Sequence, residues 1–86
     1  MVSQQLTVKN PTGLHCRPLG QVVQAAKGCD CRLTICKGER RFDAKVMIQL
    51  LQAGICQGDE ITVEADGPGE QEALGGLVDV IEGLTE

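Results

Sequence analysis

The chain has 86 residues, which is room for one domain (1–86) and one core. A formal net charge of −4 and a single aromatic, Phe42, argue against a nucleic-acid surface, which needs a basic stripe and stacking rings. No apolar run is long enough to insert in a membrane, and Met1-Val2-Ser3-Gln4-Gln5 lacks the basic-then-apolar pattern of a signal peptide, so the sequence reads as a cytoplasmic protein.

Val2, Leu6 and Val8 alternate with Ser3, Gln5 and Thr7, which predicts a half-buried strand ending at the loop Asn10-Pro11-Thr12-Gly13. Leu19, Val22, Val23 and Ala26 then repeat at helical spacing, predicting an amphipathic helix from about Cys16 to Lys27, stopped by Gly28. Leu33 and Ile35 mark a second strand and Arg40-Arg41-Phe42 a third, joined by a tight turn at Lys37-Gly38. Met47, Leu50 and Leu51 form a short helical stripe ending at Gly54, with Asp43 the better N-cap candidate over Lys45. Ile61, Val63 and Ala65 alternate with Glu60, Thr62 and Glu64 as a fourth strand, followed by the turn Asp66-Gly67-Pro68-Gly69. Leu74, Leu77, Val78 and Ile81 predict the last helix, with Glu70 and Glu72 complementing its dipole and Gly75-Gly76 suggesting close packing.

The order is therefore β-α-β-β-α-β-α. Each strand has a single apolar face and each helix a single apolar stripe, so the helices are expected to cover one side of the sheet, giving a two-layer α+β fold.

Five cysteines, Cys16, Cys29, Cys31, Cys36 and Cys56, are odd in number and irregularly spaced, which does not suit a disulfide framework. Cys29-Asp30-Cys31 has no second pair or nearby histidine to complete a metal site, so no metal is expected and the thiols are read as small buried or half-buried groups.

The chemistry concentrates at Thr12-Gly13-Leu14-His15-Cys16-Arg17-Pro18, which holds the chain's one histidine. The imidazole stands at a predicted helix start, where free N–H groups and the dipole favour an anion such as a phosphoryl group. Neutral imidazole is a nucleophile that passes a phosphoryl group on, and such transfer needs positioning and charge stabilisation rather than a metal or a base. Gly13 lets the loop bend, and Pro18 fixes φ in the first turn. The N–H groups of Cys16 and Arg17 are expected to face phosphate oxygens, with charge-assisted bonds from the Arg17 guanidinium. The bland alternatives are a His cap, a solvated arginine and a conformational proline, and the physics of this loop leaves both readings open. Cys16, beside an electropositive helix start, is expected to be the most readily alkylated thiol.

In Gly13-Leu14-His15-Cys16-Arg17-Pro18 the chain resembles HPr, the histidine-containing phosphocarrier family of the bacterial phosphotransferase sugar-uptake system. The resemblance extends along the chain through Ala26-Lys27-Gly28, Ala44-Lys45, Gln57-Gly58 and Glu70-Gln71-Glu72-Ala73. It implies an open-faced β-sandwich: a four-stranded antiparallel sheet with three helices on one face. It also implies that His15 accepts a phosphoryl group on Nδ1 from enzyme I, with phosphoenolpyruvate as ultimate donor, and passes it to an enzyme IIA. Arg17 would stabilise the phosphate, and no cofactor is implied. Met47, Ile48 and Leu51 match the family's docking patch, with Gly20 flanking the site, while Leu50 is read as core.

One departure stands out. Many relatives carry a regulatory serine after the Ala-Lys pair, and here that position is Val46, which has no hydroxyl to phosphorylate. It also removes the usual cap of the second helix, so Asp43 is expected to cap one turn earlier. A related domain in a regulatory phosphorelay or a dihydroxyacetone-kinase system is the second reading, and a Cys-based thiol or metal module the third. A carrier that shows one small face to successive partners is expected to be a monomer.

Overall fold

The computed structural model describes residues 1–86. Four strands, β1 (Val2–Thr7), β2 (Arg32–Lys37), β3 (Arg40–Asp43) and β4 (Glu60–Asp66), form one sheet in the spatial order β1-β4-β2-β3. Three helices, α1 (Cys16–Lys27), α2 (Met47–Ala53) and α3 (Glu70–Glu82), complete the chain. Every strand pair is antiparallel, with Leu6 opposite Ile61, Ile35 opposite Val63 and Ile35 opposite Phe42. This is the open-faced sandwich with three helices that the resemblance implied.

Period-2 and period-3.6 patterns meet in one core of 24 buried residues. The α1 stripe Leu19, Val22, Val23 and Ala26 and the α3 stripe Leu74, Leu77, Val78 and Ile81 are buried against Leu33, Ile35, Ile61, Val63 and Ala65 of the two central strands. With aliphatic side chains filling nearly all of it, the core is held by apolar burial worth roughly 25 cal/mol per Å².

Several local expectations are corrected. The single-faced reading of the strands fails at β2, where Thr34 and Cys36, on the helix-free face, are also buried. The flanking strands cover them there. Arg41 of β3 also reaches across to Glu64 of β4 at 2.6 Å. Desolvation and the Glu64 carboxylate raise the Cys36 thiol above its usual range. The β2–β3 turn is Gly38-Glu39 rather than Lys37-Gly38, because Gly38 takes the positive φ that a two-residue hairpin turn needs. Gly75 and Gly76 do not pack closely: a Cβ at either would meet nothing within 4 Å. Neither cap candidate caps α2. Its N-cap is Val46, with no side-chain bond. Asp43 acts a turn earlier, its carboxylate accepting from Lys45 N at 2.9 Å, while Gln49 Oε1 accepts from Asp43 N at 2.9 Å. No helix is long and apolar enough to cross a membrane.

Candidate functional site

The loop between β1 and α1 is built from the inside out. Leu14 is fully buried and anchors it to the core. Asn10, buried, donates through Nδ2 to Gly13 O at 2.7 Å, and Gly13 N donates to Asn10 O at 3.1 Å, which closes the turn. Leu14 N donates to Ile55 O at 3.0 Å, tying the loop to the segment after α2. Gly13 is required there twice over. Its φ is +68°, and a Cβ would lie 2.5 Å from Ile55 O and 2.8 Å from Cys56 Cα. Asp59 holds the facing segment, accepting from Cys56 N at 2.8 Å and pairing with Lys37 Nζ at 2.9 Å, contacts that keep its carboxyl below the usual carboxylate range.

This scaffold delivers His15 to the N-cap of α1, extended at φ −134° and ψ 160°, with its side chain half-buried. The side chain makes no capping bond onto the helix. The N–H groups of Cys16 and Arg17 have no main-chain acceptor, and Pro18 has no N–H at all. No acidic residue occupies the first turn. An anion at this spot meets unspent donors and the positive end of the dipole. Cys16 itself adopts φ +56°, the one non-glycine residue in the chain with positive φ. A side chain in this left-handed conformation costs about 1–2 kcal/mol, so the surrounding structure holds strain at the site.

His15 Nδ1 lies 3.1 Å from Thr12 O. A carbonyl can only accept, so this contact suits the tautomer with its proton on Nδ1. Arg17 is exposed, and its Nη1 sits 3.3 Å from Glu86 Oε1. Glu86 also receives Thr12 N through its main-chain oxygen at 2.7 Å, with Thr12 Oγ1 donating to the same atom. Glu86 thus lies on the flank of the site, in contact with both Thr12 and Arg17. Thr12, Asn10 and Glu86 carried no functional reading in the sequence. Asn10-Pro11-Thr12-Gly13 signals a turn, but nothing local ties residue 12 or 17 to residue 86.

The docking candidates lie on α2, which approaches α1 through Met47 and Gly20. Met47, Ile48 and Leu51 are exposed at 43%, 64% and 46%, while Leu50 and Ala53 face the core. Met47 Cε comes within 3.9 Å of a Cβ built on Gly20, which joins α2 to α1. A groove of about 670 Å³ continues from there, lined by Arg17, Gly20, Gln21, Gln24, Ala25 and Val80. The thiols are more varied than the sequence suggested. Cys31 and Cys36 are buried and Cys29 partly so, but Cys16 and Cys56 are exposed. No three His, Cys, Asp or Glu side chains come together as a metal site.

A family model described as the PTS HPr component phosphorylation site matches residues 2–83. The chain is 32% identical over 84 residues to the phosphocarrier protein HPr of Vibrio cholerae, covering 98% of this chain and 99% of that protein. It is 40% identical over 73 residues to the phosphoryl donor subunit DhaM of a PEP-dependent dihydroxyacetone kinase from Providencia stuartii. That match covers 85% of this chain but 15% of DhaM, so the chain spans a small part of that longer relative. Among solved structures, HPr-C-His from Thermoanaerobacter tengcongensis superposes with a TM-score of 0.93 at 34% identity, covering 95% of this chain and 92% of that one.

Proposed function

Because the chain belongs to the PTS-HPr family of phosphocarrier domains, we propose that it carries a phosphoryl group on His15 between enzyme I and an enzyme IIA, with phosphoenolpyruvate as the source. It is phosphorylated in transit rather than turning over a substrate of its own, works as a cytoplasmic monomer, and uses no cofactor. The observation that carries this reading is an imidazole at the N-cap of α1 beside two unspent main-chain donors, those of Cys16 and Arg17.

A ring nitrogen attacks the donor's phosphorus as the donor's bond to it breaks. Attack through Nδ1, the nitrogen the family resemblance implies, requires the contact with Thr12 O to open and the ring to change tautomer, the proton passing through solvent from Nδ1 to Nε2, so that the ring stays neutral and the Nδ1 lone pair is free. The phosphoryl oxygens then take the Cys16 and Arg17 N–H groups, and Arg17 exchanges the Glu86 carboxylate for phosphate. Handing on reverses these moves. Catalysis is chiefly positioning and charge stabilisation, as expected for phosphoryl transfer. Met47, Ile48, Leu51 and Gly20 form the surface on which partners seat. Val46 cannot take a phosphate, so control through a phosphoserine at this position is lost, while transfer through His15 is untouched.

The likeness to the DhaM subunit favours a second reading, in which the same histidine serves a dihydroxyacetone-kinase relay or another regulatory one. Incubation with enzyme I and labelled phosphoenolpyruvate tests the shared chemistry. Acid-labile, base-stable label that vanishes in His15→Ala supports both readings, and its absence contradicts both. Chasing the label onto an enzyme IIA or onto a dihydroxyacetone-kinase subunit then separates them.

A further inference from the structure

The surface beside His15 differs in charge from the rest of the molecule. The chain has 12 acidic and 8 basic side chains, yet α1 carries just Arg17 and Lys27, near its two ends, and α2 carries no ionic group. Apart from Arg17 and Lys27, the exposed polar side chains on these helices are the glutamines Gln21, Gln24 and Gln52. Basic groups near α2 are engaged elsewhere. Lys37 Nζ lies 2.9 Å from Asp59 and 3.0 Å from Gly54 O, and Lys45 Nζ donates to Cys29 O at 2.7 Å. Arg17 is opposed by Glu86. At the centre stand Met47, Ile48 and Leu51, continuous with the α1 groove through the approach of Met47 to Gly20.

We propose that this face is built for a partner whose opposing surface is apolar and uncharged, and that charge steering does not guide their encounter. The proposal rests on the phosphocarrier reading, since delivery of phosphate to His15 is what brings a partner onto this face. An acidic partner would meet one compensated guanidinium and one lysine about 15 Å further along the helix, beyond the roughly 8 Å screening length of physiological salt. The net charge of −4 would also repel it. A basic partner would find no carboxylate on either helix, and the nearby Glu86 carboxylate is paired with Arg17. An uncharged apolar concavity gains the three exposed aliphatic side chains, while the glutamines around them offer hydrogen bonds without favouring a sign of charge.

The test measures KM for the full chain as phosphoryl acceptor of its own organism's enzyme I, at about 0.05 and 0.5 M NaCl. Variants are compared with wild type at each salt, which cancels effects of salt on enzyme I itself. Gln24→Lys and Gln24→Glu are expected to move KM in the same direction or by less than about twofold, at both salts. Ile48→Ser is expected to raise KM by about fivefold or more with kcat unchanged. Opposite shifts of KM for the two Gln24 variants at low salt, collapsing at high salt, would overturn the proposal and leave the phosphocarrier reading standing. So would an unchanged KM for Ile48→Ser. Wild-type protein that takes no label at either salt would overturn both together.

Discussion

At the start of α1 the N-cap is His15; at the start of α2 it is Val46; neither side chain closes a hydrogen bond onto its first turn. A missing cap costs each helix about 1 kcal/mol relative to Ser or Asp. The two starts differ in what surrounds the open N–H groups. At α1 an imidazole stands at the N-cap and a guanidinium and a strained Cys16 lie in the first turn, and a capping side chain would occupy the place proposed for a phosphate oxygen. At α2 the neighbours are the exposed Met47 and Ile48, and Val46 itself is half-buried. Compensation for α2 lies upstream, in the bonds Asp43 makes to Lys45 and Gln49. Under the proposed function, an uncapped helix start serves as an anion site at α1 and as part of a docking surface at α2, and the adjacent side chains decide which.

The contrast is broken most completely by His15→Asn. Asparagine is a strong N-cap, so this variant is expected to unfold about 1 kcal/mol less readily in urea while losing all enzyme I-dependent label. Within α2, Leu50→Ala removes a fully buried side chain and is expected to cost about 3 kcal/mol. Leu51→Ala, one residue on and exposed, is expected to leave the urea midpoint unchanged and to weaken partner affinity. Arg17→Ala is expected to slow phosphoryl uptake about 100-fold in single-turnover labelling, with little change in thermal midpoint, because its partner Glu86 is solvent-exposed too. Val46→Ser restores a cap and is expected to add about 1 kcal/mol with label uptake intact. Gly75→Ala and Gly76→Ala, on the open side of α3, are expected to add about 0.5–1 kcal/mol each.

The fold was legible because its signals are local and periodic. The α1 stripe from Leu19 to Ala26 and the α3 stripe from Leu74 to Ile81 both lie where their spacing placed them. Where sequence reading failed, the deciding contact came from elsewhere in the chain. Cys36 reads as solvent-facing by alternation and is buried because neighbouring strands cover it. Asp43 reads as a helix cap and instead serves the turn before. At the site, the placement of His15 at the start of α1 followed from helix position; the exposure of Met47, Ile48 and Leu51 did not, since spacing put Met47 and Leu51 on one apolar stripe with Leu50, and it was the family resemblance that implied an exposed patch there. The restraint of Thr12 and Arg17 by Glu86 did not follow from it either, since those contacts join residues 74 and 69 positions apart. The need for Gly13 was legible as a bend, but its main cause, the Ile55 carbonyl pressed against it, was not.

The most direct measurement is a proton–nitrogen NMR spectrum of the chain before and after phosphorylation by enzyme I. The account predicts phosphate on one His15 ring nitrogen, large shifts of the Cys16 and Arg17 amide signals as they bond to it, and smaller ones at Thr12 and Glu86 as their contacts release. Phosphate on another residue, or on His15 with the Cys16 and Arg17 amides unmoved, would contradict it.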